Sequence, residues 1–164
     1  ATRKNLLAHA FNNQNVRLFD YETRSSIEIR DNDHERLVDY AAYITSIQFV
    51  ETSGPNASEH EFLAVGCRVA RVKIYDLADY TCLYTLFLGN GWSAVTHLVF
   101  NKEGTRMACT GGGSNIRLFD VPEGHCLARF EDHSDSIKSL AFTPDGKMLA
   151  SGACDRSLRI WVCP

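Results

Sequence analysis

Apolar and polar residues alternate along most of this chain in short runs that are typical of β-strands. Four segments align without gaps over their last dozen residues. Each has a short apolar run, a link of small or turn-forming residues, and an alternating run that ends on an aromatic residue. They read LLAHAFNNQNVRLFD, FLAVGCRVARVKIYD, MACTGGGSNIRLFD and LASGACDRSLRIW. Period-two alternation with β-branched and aromatic residues predicts two paired strands in each segment.

Two further strands recur between these hairpins. One follows each hairpin, as SSIEIR, TCLYTLF and HCLARF, and the other precedes it, as YITSIQFV, AVTHLVF and SIKSLAF. Turn-forming residues separate the strands, for example NKEG at 101–104 and TPDG at 143–146. No segment carries an apolar stripe with the helical period. The pattern predicts an all-β chain of fourteen strands, grouped as three, four, four and three.

The repeat resembles the WD-repeat β-propeller family, which has a period of about 40–45 residues, four strands per blade and a closing Trp-Asp dipeptide. The closing aromatics here are spaced 56, 44 and 42 residues apart. Three of them keep the aspartate and the fourth is the tryptophan. The segment DHSDSIKSLAFTPDGKMLASGACDRSLRIW matches the family pattern over 30 residues. The closing pairs are Phe19-Asp20, Tyr75-Asp76, Phe119-Asp120 and Trp161-Val162.

The resemblance implies a partial propeller of about three and a half four-stranded blades. The expected division is an incomplete blade at 1–30, a blade with an insertion at 31–88, a blade at 89–130, and a last blade at 131–164 that lacks its outer strand. A seven-bladed ring has 28 strands, so we expect the C-terminal half of such a ring. Its remainder would lie upstream or on another chain. A closed ring of four blades is the alternative.

A serine, a histidine and an aspartate near the end of the chain admit two interpretations. As Ser151, His133 and Asp155 they have the side-chain types of a nucleophilic triad. The resemblance instead implies that they form a buried hydrogen-bond network with Trp161, in which each buried polar group finds a partner. LASGA lacks the Gly-x-Ser-x-Gly elbow that exposes a nucleophile. We therefore expect a structural network and no enzymatic activity.

The other repeats lack most of this network and must depend on apolar packing. We expect the last blade to be the most tightly specified, and His133→Ala or Asp155→Ala to lower thermal stability more than Asn13→Ala. The aligned aspartate positions hold Asn13, Val69 and Gly113, and the aligned serine positions hold His9, Val65 and Cys109.

Partner binding is expected on the top face of the propeller. The resemblance places there the residue before each turn aspartate and a residue near the start of each inner strand. Arg68 and Lys138 bring positive charge to this face, so an acidic or phosphorylated peptide is a candidate ligand. Trp92 is either an exposed binding hot spot or a half-buried packing residue. The candidates are Asn12, Thr45, Arg68, Trp92, Thr96, Gly112, Lys138 and Cys154.

Composition narrows the function classes. The formal net charge is −3 and no run of Lys or Arg exceeds two residues, which argues against direct nucleic-acid binding. No apolar stretch approaches the ~18 residues of a membrane helix. Six cysteines without a Cys-x-x-Cys pair are expected to be small buried residues in a reducing compartment rather than metal ligands or disulfides. TGGGSN at 110–115 lacks Gly-Lys-Ser/Thr and a following helix, so we interpret it as a turn and expect no cofactor.

These observations favour a non-catalytic protein-interaction scaffold or adaptor, a WD-repeat subunit of a multiprotein complex. It would act inside the cell, in the cytoplasm or the nucleus. The alternative is a WD-repeat subunit of a nucleic-acid- or chromatin-associated complex that binds an acidic or phosphorylated peptide at the top face. A rigid scaffold that displays variable loops suits both, because binding then costs little ordering of the loops.

Overall fold

The strands of this protein form four antiparallel sheets, each a simple meander. The computed structural model describes residues 6–10, 16–29, 44–50, 61–68, 71–88 and 94–164. The stretches RDNDHERLVDY at 30–40 and ETSGPNASEH at 51–60, which account for the insertion expected in the second blade, lie outside these residues. Within the described part of the chain every regular element is a strand, in groups of three, four, four and three. The predicted all-β class and the strand grouping are therefore confirmed.

Chain order sets the order of strands within each sheet. The first sheet contains β1 (Leu6–Ala10), β2 (Val16–Asp20) and β3 (Ser25–Ile29). The second contains β4 (Ile44–Val50), β5 (Phe62–Cys67), β6 (Arg71–Asp76) and β7 (Cys82–Phe87). The third contains β8 (His97–Phe100), β9 (Arg106–Thr110), β10 (Ile116–Asp120) and β11 (Cys126–Phe130). The fourth contains β12 (Ile137–Phe142), β13 (Met148–Ala153) and β14 (Leu158–Val162).

Neighbouring sheets stack face to face, and three apolar cores lie between the four sheets. The inner strands approach one another most closely, with β4 against β8 and β8 against β12. Leu18 of the first sheet packs in one core with Leu63 of the second, and Ala108 of the third sheet packs with Leu149 of the fourth. The core between the second and third sheets is the largest, and Ile74 and Met107 are fully buried in it.

The closing aspartate of each of the first three repeats stabilises the turn that follows it. Asp20 Oδ1 accepts hydrogen bonds from two backbone N–H groups of the next turn, at 2.9 and 3.1 Å. Asp76 Oδ1 and Asp120 Oδ1 accept equivalent bonds at 2.7 and 2.8 Å. The residue four positions later has a positive φ in all three turns. It is Arg24 (55°), Tyr80 (63°) and Gly124 (68°). The short carboxylate that caps the turn explains why the repeat keeps this aspartate.

The fourth sheet presents an apolar face on the side away from the third sheet. Leu158 is 72% exposed and Val162 is 77% exposed, with Ile160 between them on β14. The corresponding face of the second sheet is covered. A Cβ placed on Gly66 would lie 2.9 Å from Val95 Cγ1 of the next sheet, whereas one on Gly152 would meet only a serine hydroxyl of its own sheet. The face that packs against the next sheet in the second repeat is therefore exposed in the fourth sheet.

Candidate functional site

Four polar side chains of the fourth sheet form one hydrogen-bond network. His133 precedes β12, Ser151 lies on β13, Asp155 lies in the β13–β14 turn, and Trp161 lies on β14. His133 Nδ1 is 2.7 Å from Asp155 Oδ2, and His133 Nε2 is 2.8 Å from Ser151 Oγ. Trp161 Nε1 donates to Ser151 Oγ at 2.8 Å. The structure thus brings together all four residues of the predicted network.

Strand register explains why these residues meet. β13 and β14 are antiparallel, with Leu149 opposite Trp161 and Ser151 opposite Arg159. Ser151 and Trp161 therefore lie on one face of the sheet, a diagonal step apart, which a long indole can span. That face turns towards the third sheet, and Phe130 stacks on Trp161 with the ring centres 4.9 Å apart. Trp161 is thereby half-buried, and an internal acceptor satisfies its indole N–H.

The chemistry of the four groups fixes the direction of the bonds. Hydrogen bonds from Ser157 and His133 lower the pKa of the Asp155 carboxyl below its usual range, with the Ser157 hydroxyl contributing most. Asp155 is therefore ionised near neutral pH and accepts. The Ser151 hydroxyl accepts from the indole and donates its own proton to His133 Nε2, which leaves His133 Nδ1 to donate to Asp155. Every polar atom along this path has a partner.

The order of the bonds in Ser151, His133 and Asp155 is that of a hydrolase triad, but the surroundings are different. Ser151 is 1% exposed, so its hydroxyl offers no approach to a substrate. The indole of Trp161 occupies an acceptor position on Ser151 Oγ that an attacking nucleophile would use. Ser151 also lies within a regular strand, whereas a nucleophile elbow is a sharp turn between a strand and a helix. A buried and bonded serine within a regular strand is suited to a structural role and not to nucleophilic attack.

Ser157 is a member of the network that the sequence analysis missed. Its hydroxyl donates to Asp155 Oδ1 at 2.7 Å and lies 3.2 Å from His133 Nδ1, while its backbone N–H donates to the same carboxylate oxygen at 2.9 Å. The pattern Asp-x-Ser in the turn was the available signal, because an aspartate readily binds the residue two positions on.

The positions of the second and third sheets that are equivalent to Ser151 hold apolar residues. Cys109 and Val65 occupy the position that Ser151 has in the fourth sheet. In the strand register all three lie opposite the equivalent residue of the next strand, which is Arg117, Lys73 and Arg159 in turn. Both are buried, and burial raises the pKa of the Cys109 thiol well above its usual value. Gly113 is exposed. The side chain of His9, and residues Asn13 and Val69, lie outside the described part of the chain.

The predicted top-face residues of the third and fourth sheets are joined by hydrogen bonds. We call this end of the sheets, which carries the turns 111–115 and 153–157, the upper face. The backbone N–H of Gly112 donates to Thr96 Oγ1 at 3.3 Å, and Ser136 Oγ donates to the carbonyl of Gly112 at 3.4 Å. The N–H of Cys154 donates to the carbonyl of Ser136 at 2.9 Å. This chain of bonds links turns of two adjacent sheets.

The remaining candidates lie at the same ends of their strands. Thr45 is exposed and donates to the carbonyl of Gly66 at 3.1 Å. Arg68 and Lys138 are also exposed. Thr45 and Arg68 belong to the second sheet, and the bonds that join Thr96, Gly112 and Cys154 do not include them. Asn12 and Trp92 lie outside the described residues.

A threonine and histidine cluster below this face was not predicted. Thr110 is fully buried, and its hydroxyl lies 2.9 Å from Thr96 Oγ1 and 3.4 Å from His97 Nδ1. Burial lowers the pKa of His97, and the charge of Lys138 lowers it further. His97 is therefore neutral near pH 7 and lies half-buried beside these threonines.

The described residues include histidine, cysteine and acidic side chains, the types that bind metal ions. They contain no group of three His, Cys, Asp or Glu side chains suited to hold a metal ion. None of the six cysteines forms a disulfide, and Cys154 is exposed, so the expectation of buried cysteines is wrong at that position. Within the same residues no helix has the length and apolar character needed to cross a membrane.

Comparison with known proteins identifies the repeat. The family model described as "WD domain, G-beta repeat" matches residues 80–120 and 124–162. A chain in the "Crystal Structure of Mitotic Checkpoint Complex" superposes with a TM-score of 0.73 and 26% identity, covering 98% of this chain and 44% of that one.

Three curated relatives each match about two fifths of the chain. The human "WD repeat and HMG-box DNA-binding protein 1" is 35% identical over 65 residues, which is 40% of this chain and 6% of that protein. The human "Intraflagellar transport protein 122 homolog" is 31% identical over 68 residues, 42% of this chain and 5% of that protein. "Protein ROOT INITIATION DEFECTIVE 3" of Arabidopsis thaliana is 36% identical over 64 residues, 39% of this chain and 15% of that protein. The match therefore spans less than a fifth of each relative.

Proposed function

Since the chain belongs to the WD-repeat family of β-propeller proteins, we propose that it is a non-catalytic interaction scaffold or adaptor within a multiprotein complex. The observation that carries the proposal is the hydrogen-bonded upper face. Exposed loop residues there are held by hydrogen bonds within and between the third and fourth sheets, so a partner meets loops that are already ordered. The strands form a rigid support, and the loops carry the side chains that contact a partner.

The upper face is best tested by site-specific cross-linking in cells. A photo-reactive residue replaces Thr96, and the same residue replaces Arg129 on the outer strand β11 as a control. We expect one partner to be cross-linked at Thr96 and not at Arg129, and to be lost when Lys138→Glu is added. Recovery of the same proteins from both positions would contradict a specific upper-face site.

A second candidate is a subunit of a chromatin- or nucleic-acid-associated complex that binds an acidic or phosphorylated peptide. Its support is the pair of exposed cations Arg68 and Lys138, together with the name of one relative, a DNA-binding WD-repeat protein. Arginine and lysine bind phosphate through charge-assisted hydrogen bonds. Titration with a phosphoserine peptide and its unmodified form tests this, and equal affinities would contradict it. A mobility shift with DNA that weakens as salt rises would instead indicate direct nucleic-acid binding.

We also propose that a further blade covers the bare face of the fourth sheet. It would come from the rest of a longer polypeptide or from another chain. The support is the exposed apolar row Leu158, Ile160 and Val162 on β14. In the second sheet the equivalent face packs against the neighbouring sheet. Native mass spectrometry of the protein isolated from cells tests the proposal. A folded monomer of this chain alone would contradict it, whereas loss of a larger assembly in Ile160→Lys would support it.

The proposal of a non-catalytic role has its own experiment. A fluorophosphonate probe reacts with activated serine nucleophiles, and we expect it to leave Ser151 unlabelled because the hydroxyl is buried and already bonded. Labelling at Ser151 that is lost in His133→Ala would show a working triad and would overturn the structural assignment.

A further inference from the structure

A pair of adjoining cavities lies at the end of the sheets opposite the upper face. We call this end the lower face; it carries the turns 101–105, 121–125 and 143–147. One cavity of about 200 Å³ lies between the second and third sheets, and a second of about 370 Å³ lies between the third and fourth. Glu103 and Thr105 line both, so the β8–β9 turn is the boundary they share. Neither cavity touches the polar network or the upper face.

The first cavity is apolar and has a fixed wall. Its walls are formed by Phe62, Leu83, Tyr84, Val121 and Pro122. The Tyr84 hydroxyl donates to the backbone carbonyl of Val121, which joins the second sheet to the third at the cavity. Burial, with a smaller contribution from the charge of Asp120, raises the pKa of Tyr84 to about 12, so the hydroxyl remains a donor. Leu83 is 45% exposed, so the apolar surface is open to a ligand.

Among the residues that line the apolar cavity, the charged one is acidic. Glu103 lies in its wall, and Asp120 and Glu123 lie on the turn that carries Pro122. The Glu103 carboxylate is held in place because Asn101 Nδ2 donates to its Oε2 at 3.0 Å. Arg106 and Lys147 line the second cavity, where the carboxylate of Asp145 accompanies them. An apolar ligand group with a positive charge beside it is therefore complementary to the first cavity, and a negative charge there is not.

We propose that the lower face binds a short peptide segment of a partner protein, which inserts one apolar side chain between the second and third sheets and sets a Lys or Arg against Glu103. The rest of the segment follows the turn towards the mixed-charge second cavity. This site is separate from the upper-face site of the proposed scaffold function, and each can exist without the other. A ligand at the lower face would leave the upper face available to a second partner.

The experiment uses the full chain and three capped pentapeptides as probes. They are acetyl-Gly-Leu-Gly-Arg-Gly-amide, its Arg-to-Glu version and its Leu-to-Ser version. Binding is followed by NMR titration of the ¹⁵N-labelled protein. We expect the Leu–Arg peptide to bind with a Kd of about 1–10 mM and to shift the amides of Gly104, Thr105 and Val121. The Glu version should bind about threefold to fivefold more weakly and the Ser version at least about tenfold more weakly.

Two matched pairs of variants assign the contacts. Glu103→Gln preserves an acceptor for Asn101 and should remove the preference for Arg over Glu, whereas Glu131→Gln, at an exposed carboxylate near the upper face, should leave it intact. Leu83→Ser should abolish binding, whereas Phe87→Ser, at an exposed apolar residue of the same strand, should not. No shifts at about 20 mM peptide, shifts confined to the upper face, or equal binding of the Arg and Glu peptides would overturn the proposal. Loss of cross-linking at Thr96 would bear only on the scaffold function.

Discussion

Removing the hydroxyl of Ser151 tests the polar network most directly. The hydroxyl is the only described partner of the Trp161 indole N–H and of His133 Nε2, so Ser151→Ala leaves both without a bond. A buried polar group that loses its partner costs about 1–3 kcal/mol. His133 is buried, while Trp161 is partly exposed and can recruit water, so its cost is at the low end. We expect Ser151→Ala to lower the free energy of unfolding by about 3 kcal/mol.

The assay is urea and thermal unfolding of the full chain, followed by circular dichroism. For a domain of this size, about 3 kcal/mol corresponds to a fall in Tm of about 6–12 °C. Ser139→Ala is the matched control, because Ser139 lies exposed on β12 of the same sheet, and it should change the free energy by no more than about 0.5 kcal/mol. In a double-mutant cycle, Ser151→Ala and Trp161→Phe should be non-additive by at least about 0.5 kcal/mol. If the two alanine variants unfold alike, or the cycle is additive, the network does not stabilise the sheet as described.

Three further predictions concern the other sheets and the turn carboxylate. Cys109→Ser places a hydroxyl in an apolar core, so it should destabilise by about 1–3 kcal/mol in urea unfolding, although serine stabilises the same position of the fourth sheet; a neutral effect would contradict this. Gly66→Ala should destabilise more than Gly152→Ala, because only at Gly66 does the new Cβ approach Val95 of the next sheet, and equal losses of Tm would refute the packing argument. The folded-state pKa of Asp155 is lowered, so its stabilisation is present above the unfolded value of about 3.9 and is lost as pH falls below it. Asp155→Asn should therefore flatten the decline of Tm between about pH 4 and pH 2, and an unchanged slope would argue against the assignment.

The strands were predictable because alternation is a local property. Residues two apart share a face of a strand, so SIKSLAF and LASGA reveal their buried sides without knowledge of their neighbours. Gap-free alignment of the repeats then gave the register, and with it the equivalence of Ser151, Cys109 and Val65. The polar network followed from the resemblance, since its four residues lie within a single repeat.

The remaining features depend on how one sheet meets the next. Thr96, His97 and Thr110 form a cluster because β8 and β9 pair, and hydroxyl and imidazole groups have no distinctive spacing in the sequence. The lower-face cavities need Tyr84 of one sheet beside Val121 of another. Periodicity within a repeat carries no information about the distance between repeats. The contacts between sheets therefore could not be predicted from the sequence pattern.

The stacking of the sheets has a consequence for how the molecule comes apart. Each core joins two adjacent sheets, and sheets that are not neighbours share none of the three cores. Stability is then close to a sum of nearest-neighbour terms, as in a linear array. The first and fourth sheets each share one core, whereas the second and third sheets each share two, and the fourth sheet also has its polar network. Local opening should therefore be most frequent in the first sheet, and amide hydrogen exchange would report it there. A mutation in one core would weaken the contact between two adjacent sheets and leave the other contacts between sheets unchanged. Unfolding of the sheets on one side could then stop at the weakened contact.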